Sequence, residues 1–198
     1  MKIIAAALLL TATTALASGP PPTPMPPANV SSIGVIAGPS EPGVRMVIDG
    51  QLFAPDGVTP VPGVIVYAWQ TDNTGDYRND ASRVARLHGW ARTDAHGHFV
   101  FRTIRPAPYP GRGIPAHVHF HVWGGGYPLQ WTDELQFADD PLVKASEREA
   151  SRSRGKFGNV SAVTRDAGGV QHATINFRIR AETNYPPEER GDPRTTKH

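Results

Sequence analysis

Hydrophobic positions along this chain recur with a period of two rather than 3.6. HFVFRTI (98–104), AHVHFHVW (116–123) and QHATINFRIR (171–180) alternate in the manner of strands with one buried face. VRMVIDGQLF (44–53) has the β-branched and aromatic content of another strand. GVIVYAWQ (63–70) is a continuous apolar run, suited to a strand covered on both sides, and LQWTDELQF (129–137) predicts a further one. Turn chemistry separates these runs: Pro55-Asp56-Gly57, Pro62-Gly63, TDNTGD (71–76), Asp94-Ala95-His96-Gly97, Gly124-Gly125-Gly126 and Asp139-Asp140-Pro141. Residues 141–153 read as one short helix, which Gly155 stops. Many short strands with regular turns predict an all-β chain, a β-sandwich with long loops, over residues 44–180.

The two ends depart from that pattern. Lys2, the apolar residues 3–10 and the small-x-small Ala15-Leu16-Ala17 predict a signal peptide over 1–17, cleaved near Ala17, and an exported protein in the periplasm or outside the cell. The apolar run is too short to span a membrane, and no later segment is long enough. Residues 18–43, which include GPPPTPMPPA (19–28), predict a proline-rich tether, and 181–198 an extended tail.

Composition narrows the function classes. The 198 residues suit one domain, and the absence of cysteine removes disulfides, thiolate metal sites and cysteine nucleophiles. Twenty Lys and Arg against eighteen Asp and Glu give a formal charge of +2, no support for a nucleic-acid partner. Basic residues gather at 148–156, but Glu147 and Glu149 accompany them, so the segment reads as a solvated surface.

The candidate chemistry lies in IRPAPYPGRGIPAHVHFH (104–121). His117, His119 and His121 are two apart, so a strand there puts three imidazoles on one face. Imidazole is the commonest protein metal ligand. Tyr109 stands between prolines, which stiffen its loop, and Tyr77 follows the TDNTGD turn. Tyr77, Tyr109, His117 and His119 form the candidate metal set, with His121 a packed neighbour and His96 and His98 surface residues. Phenols titrate near pH ~10, so only a strongly Lewis-acidic cation keeps two of them ionised at neutral pH. Ferric iron fits that demand better than zinc or copper(II), and two phenolates plus one hydroxide match its charge.

With these residues in view, the chain resembles the intradiol ring-cleavage dioxygenases, the protocatechuate 3,4-dioxygenase and catechol 1,2-dioxygenase family. The matching stretches are PVPGVIVYAWQTDNTGDYR (60–78), GWARTDAHGHFVFRTIRPAPYPGR (89–112), PAHVHFHVWG (115–124) and LQWTDELQFADDP (129–141). The resemblance implies a prealbumin-like β-sandwich with a mononuclear non-haem Fe(III). It makes Tyr77 and His117 equatorial ligands beside a hydroxide, and Tyr109 and His119 axial ones. It also implies a catechol-type substrate and O2 as partners, a cis,cis-muconate-type product and Tyr109 as catalytic proton acceptor. Members commonly form homo-oligomers.

Two positions depart from the family pattern. The arginine expected three residues before the first ligand histidine is Ile114 here, and Arg112 is the nearest candidate to take its catalytic role. The usual glutamine after the glycine corner is Glu134, placed either to repel an anionic substrate or to pair with Arg112. Three other readings compete. A copper-zinc superoxide dismutase also alternates histidines on a strand, but leaves both tyrosines unexplained. GQLFAPDGVTPVPGVIVYAW (50–69) resembles the opening of prealbumin-like modules that bind phenolics or carbohydrate without catalysis. A degenerate dioxygenase that binds without turnover is the third.

Overall fold

The computed structural model describes residues 23–77 and 83–185, so the signal-peptide expectation and the last thirteen residues lie outside the described residues. In chain order the strands are β1 (Ile33–Val35), β2 (Arg45–Phe53), β3 (Val64–Gln70), β4 (Leu87–Arg92), β5 (His98–Ile104), β6 (His117–Gly124), β7 (Tyr127–Trp131) and β8 (Leu135–Phe137). Helix α1 (Ala145–Ser153), a 3-10 turn at Gly155–Phe157, β9 (Val160–Ser161), β10 (Thr164–Arg165) and β11 (Gln171–Arg178) complete the fold. They build two mixed sheets, β1-β5-β2-β11-β10 and β4-β3-β6-β8-β9, with β7 paired to β6. This is the predicted β-sandwich.

The alternation explains the packing. Met46, Ile48, Phe99, Phe101, Ile175 and Phe177 face inward from the first sheet. Val64, Val66, Val118, Phe120 and Phe137 meet them from the second. The opposite face of β3 carries Ile65, Tyr67 and Trp69, which form a second aromatic cluster with Trp123, Leu129 and Tyr185. Every residue of β3 is therefore buried, as its unbroken apolar run predicts.

Four expectations need correction. The tether does not run to residue 43: β1 pairs parallel with β5, and Ile36 and Ala37 enter the core. β4 carries no strong hydrophobic alternation of its own, because its inward residues are Leu87, Gly89 and Ala91, two of them small. Gly89 is small for a reason, since a Cβ there would stand 2.4 Å from the Val35 carbonyl oxygen. The tail is not free up to Tyr185, which is buried in the second aromatic cluster. Finally, 129–137 forms two strands rather than one, and helix α1 begins at Ala145 rather than 141.

Candidate metal centre

β6 delivers the histidines. Its even residues face the core, so His117, His119 and His121 share the opposite face. The start of β6 is pinned by buried Asp140, which accepts the Ala116 N–H at 2.8 Å and the Leu142 N–H at 2.9 Å. Buried Gln70 locks the end of β3 to β5 across the sandwich, donating to Ile104 O at 2.9 Å and accepting from Thr103 Oγ1 at 2.8 Å.

Two loops bring the tyrosines. After β3, Asp72 Oδ1 accepts from Thr74 N, Thr74 Oγ1 and Asp76 N at 2.9, 2.7 and 3.2 Å, winding a tight turn that ends at Tyr77. The Tyr109 loop is stitched to it: Thr71 Oγ1 donates to Ala107 O at 2.7 Å, and Ala107 N to Asp72 O at 3.0 Å. At Gly75 the two backbones meet, for a Cβ there would lie 2.2 Å from Pro108 O, and its φ of +85° favours glycine.

The four predicted side chains converge. Tyr77 Oη lies 2.5 Å from Tyr109 Oη and 2.8 Å from His119 Nε2. Tyr109 Oη is 3.2 Å from His117 Nε2, and the two Nε2 atoms are 3.0 Å apart. His117 Nδ1–H donates to Pro115 O at 2.7 Å, which leaves its Nε2 as the lone-pair nitrogen. On His119, Nδ1 approaches Glu134 Oε1 at 2.9 Å, obliquely, without an aligned hydrogen bond. The His117 Nε2 lone pair points at His119 Nε2 across 3.0 Å. A cation among these nitrogen and oxygen atoms would take those lone pairs as donors.

The phenols make the same demand. Burial pushes the Tyr77 hydroxyl far above its usual range, with the Tyr109 hydrogen bond, the Tyr109 charge and the Glu134 carboxylate adding to it. Burial also raises Tyr109; its bond to Tyr77 works against the rise, Glu134 adds to it and Arg112 opposes it. Burial lowers His117, followed by the charge of His119, while the Pro115 hydrogen bond and Glu134 oppose that fall. Phenols that need a strong cation to ionise, beside the Nε2 atoms of His117 and His119, form a donor set that fits ferric iron.

A local irregularity places Glu134. β6 pairs His121 with Trp131 but Val118 with Leu135. Two β6 residues, His119 and Phe120, therefore face three, Thr132, Asp133 and Glu134, which is a β-bulge. Glu134 falls against His119, and the two form a cluster with His117 whose ligand atoms lie within 4.8 Å of one another. Burial raises the Glu134 carboxyl, but its close contact with His119 and the charges of His119 and His117 outweigh it, so the net shift is downward. His119 is also stacked on Trp69, with centroids 4.8 Å apart and planes 14° from parallel.

A cavity of about 270 Å³ opens over these groups. Tyr77, Tyr109 and His119 line one part of it, and Tyr67, Trp69, Ala85 and Trp131 form apolar walls. Arg83 completes the lining.

A family model described as Dioxygenase matches residues 25–182. The chain belongs to the intradiol ring-cleavage dioxygenase family. It is 31% identical over 113 residues to the protocatechuate 3,4-dioxygenase beta chain of Burkholderia cepacia, covering 51% of this chain and 48% of that one. Against catechol 1,2-dioxygenase 1 of Acinetobacter lwoffii the identity is 30% over 152 residues, covering 67% and 47%. The chain thus spans about half the length of the curated relatives it matches. Among solved structures, it is similar to the dioxygenase domain of a dioxygenase carbohydrate-binding protein fusion from Streptomyces sp. SirexAA-E. There the TM-score is 0.58 at 27% identity, over 82% of this chain and 94% of that one. The fold also matches catechol 1,2-dioxygenase from Pseudomonas arvilla C-1, with TM-score 0.59 and 22% identity over 88% of this chain and 63% of that one.

Within this family frame, two expectations shift. Arg112 does not line the cavity; it lies exposed on the loop after Tyr109, donates its N–H to Tyr109 O at 3.3 Å, and reaches the site only through its charge. Glu134 contacts His119, and no Glu134–Arg112 pair forms among the described residues. His121 is confirmed as a packed neighbour, wholly buried with Trp131 4.0 Å from its ring centroid. Sequence reasoning missed the Glu134–His119 contact, the Gly75 crossing and Arg83. Of these only Gly75 carried a signal, as the glycine of a visible turn.

Proposed function

We propose that this chain opens a catechol-type ring between its two hydroxyl-bearing carbons, using mononuclear non-haem ferric iron and dioxygen. The product is a cis,cis-muconate-type diacid, and both oxygen atoms enter it, so no external reductant is needed. The observation that carries this reading is the convergence of two phenol oxygens and two imidazole nitrogens within hydrogen-bond distance beneath an aromatic cavity.

Tyr77, Tyr109, His117 and His119 would hold the ion. Bound there, ferric iron supplies the Lewis acidity that acidifies both catechol hydroxyls and draws electron density from the ring. The rest falls to this chain's side chains. Tyr109 Oη, on the loop stiffened by Pro108 and Pro110, accepts one substrate proton. Pro115 O and Glu134 hold the two imidazoles with Nε2 inward. Trp69 and Trp131 line the apolar wall beside which a flat ring packs.

The test is a visible spectrum of iron-reconstituted protein under nitrogen, before and after catechol, followed by admission of oxygen and mass analysis. A tyrosinate-to-iron charge-transfer band that shifts with catechol, then a product heavier by one O2, is expected. Tyr77→Phe and Tyr109→Phe should each diminish the band. A folded, iron-loaded protein without the band sinks the reading. A band with no oxygen consumption assigns the chain to the binding modules instead. Export, supported by Lys2, residues 3–10 and Ala15-Leu16-Ala17, is proposed with it; Edman sequencing of secreted protein should begin near Ser18.

A further inference from the structure

We infer that a second groove, on the far side of Trp131, receives the dicarboxylate product through Arg178 and Arg180. The inference deepens the ring-cleavage reading and rests on it for the identity of the diacid. The charge and shape of the groove stand apart from that reading.

The groove has a volume of about 650 Å³, within the ~300–1,000 Å³ of small-molecule sites. It lies between the end of β11, the bulge residues Thr132 and Asp133, and the 3-10 turn that ends at Phe157. Trp131 lines both this groove and the cavity over the candidate metal centre, and no other lining residue is shared. The Asn184 side chain holds Trp131 in place, accepting its N–H at 2.9 Å and donating to its carbonyl at 3.1 Å. The indole also packs on His121, with centroids 4.0 Å apart. One fixed side chain thus separates the two spaces.

Three arginines line the groove against one carboxylate. Asp133 is taken up by Arg154, at 2.7 Å. Arg178 lies beside the Phe157 ring, with Cζ 5.5 Å from the centroid, and Arg180 is anchored through its backbone to the Gln130 side chain. Among the described residues neither guanidinium meets a carboxylate. Ile179 between them is buried in the core, so both arginines leave the chain on the same, exposed side, with Cα atoms about 7 Å apart. A guanidinium stays protonated and offers paired N–H donors that match a carboxylate. Two on one side suit a ligand with a carboxylate at each end.

Ring opening creates such a ligand. A catechol enters with two phenols, uncharged in neutral water because they titrate near pH ~10, whereas the carboxyls formed from it titrate near pH ~4 and ionise. The walls formed by Tyr67, Trp69, Ala85 and Trp131 withhold water from that dianion, and the Glu134 carboxylate behind His119 repels it. Arg178 and Arg180 offer compensating charge one side chain away.

The experiment titrates iron-loaded, full-length protein calorimetrically with cis,cis-muconate, with its neutral diamide and with inorganic phosphate. The wild type should favour the diacid over the diamide by roughly tenfold or more, the advantage of charge-assisted over neutral hydrogen bonds. It should also bind the diacid more tightly than phosphate. Arg178→Gln combined with Arg180→Gln should bring the diacid-to-diamide ratio to near one, and the corresponding pair of lysine substitutions should retain part of it. Both arginines are exposed, so the variants should melt with the wild type. Muconate should leave the tyrosinate-to-iron band unshifted, since the groove lies beyond Trp131. No binding of the diacid, phosphate bound as tightly as the diacid, a ratio that survives the double glutamine variant, or a band that shifts with muconate overturns the inference. Catechol cleavage without arginine-dependent muconate binding sinks the product site and leaves the cleavage reading standing. Arginine-dependent binding without ring opening keeps the dicarboxylate site and removes the cleavage reading.

Discussion

Gly75→Ala should damage the site from outside it. The added methyl would stand 2.2 Å from Pro108 O and 2.9 Å from Pro110 Cδ, on a residue with φ of +85°. The obstacle is a backbone carbonyl between two prolines, so no rotamer change relieves it. Restoring ordinary van der Waals separation needs the Tyr77 and Tyr109 loops to part by about 1 Å. The left-handed conformation alone costs an alanine roughly 1–2 kcal/mol. Parting the loops also stretches the Thr71–Ala107 and Ala107–Asp72 bonds, each a net contribution of ~1 kcal/mol. The sum, roughly 3–4 kcal/mol, converts to a fall in melting temperature of roughly 6–16 °C for a chain of this length. Ring-opening rate should fall more steeply, because a misplacement of about 1 Å is worth roughly 10²-fold. Gly169→Ala is the control: its φ is +82°, but a Cβ there meets nothing within 4 Å. It should lose about 1 kcal/mol of stability and keep full activity. Thermal unfolding and oxygen uptake measure both variants. If Gly75→Ala matches Gly169→Ala in both, the loop crossing does not position the tyrosines.

Glu134→Gln removes the anion behind His119 while keeping its size; iron affinity should fall roughly 10–100-fold in a chelator competition, and unchanged affinity would deny Glu134 its orienting role. The metal-free protein should lose stability on acidification in two stages. His117 has its folded pKa lowered, so the unfolded chain takes up its proton first and stability declines as pH falls below about 6.5 until the folded pKa is passed. Glu134, also lowered, contributes stability that is present above about 4.5 and is lost as pH falls through its folded pKa. Urea midpoints from pH 8 to 3 report both, and a flat profile between pH 7 and 5 contradicts the first. Tyr185→Phe deletes the hydroxyl 3.2 Å from His121 Nε2, and a loss of ~1 kcal/mol is expected by denaturant titration. No loss would mean that the carboxy-terminal segment is held there by ring packing alone.

Much of this protein was legible in its sequence because the controlling signals are local. A side-chain period of two is a property of the extended backbone, so HVHFH put three histidines on one face whatever surrounded them. Proline on either side of Tyr109 and the Asp72-to-Asp76 turn before Tyr77 are likewise short-range devices, and the family motif joined the four residues into one site. Other features depend on contacts distant in sequence. β1 shows no periodicity of its own; it exists because β5 offers an edge and Gly89 makes room for its backbone. The split of 129–137 and the placing of Glu134 come from one extra residue in the pairing with β6, which register decides and composition does not. Arg83 joins the cavity only because the chain returns into β4 beside Trp69, whereas Arg112, nearer in sequence to the histidines, stays outside. Sequence by itself determined the long core strands and the residues able to bind a metal. Tertiary structure decided which charges face that site, because a strand's pleat dictates direction while only packing dictates neighbours.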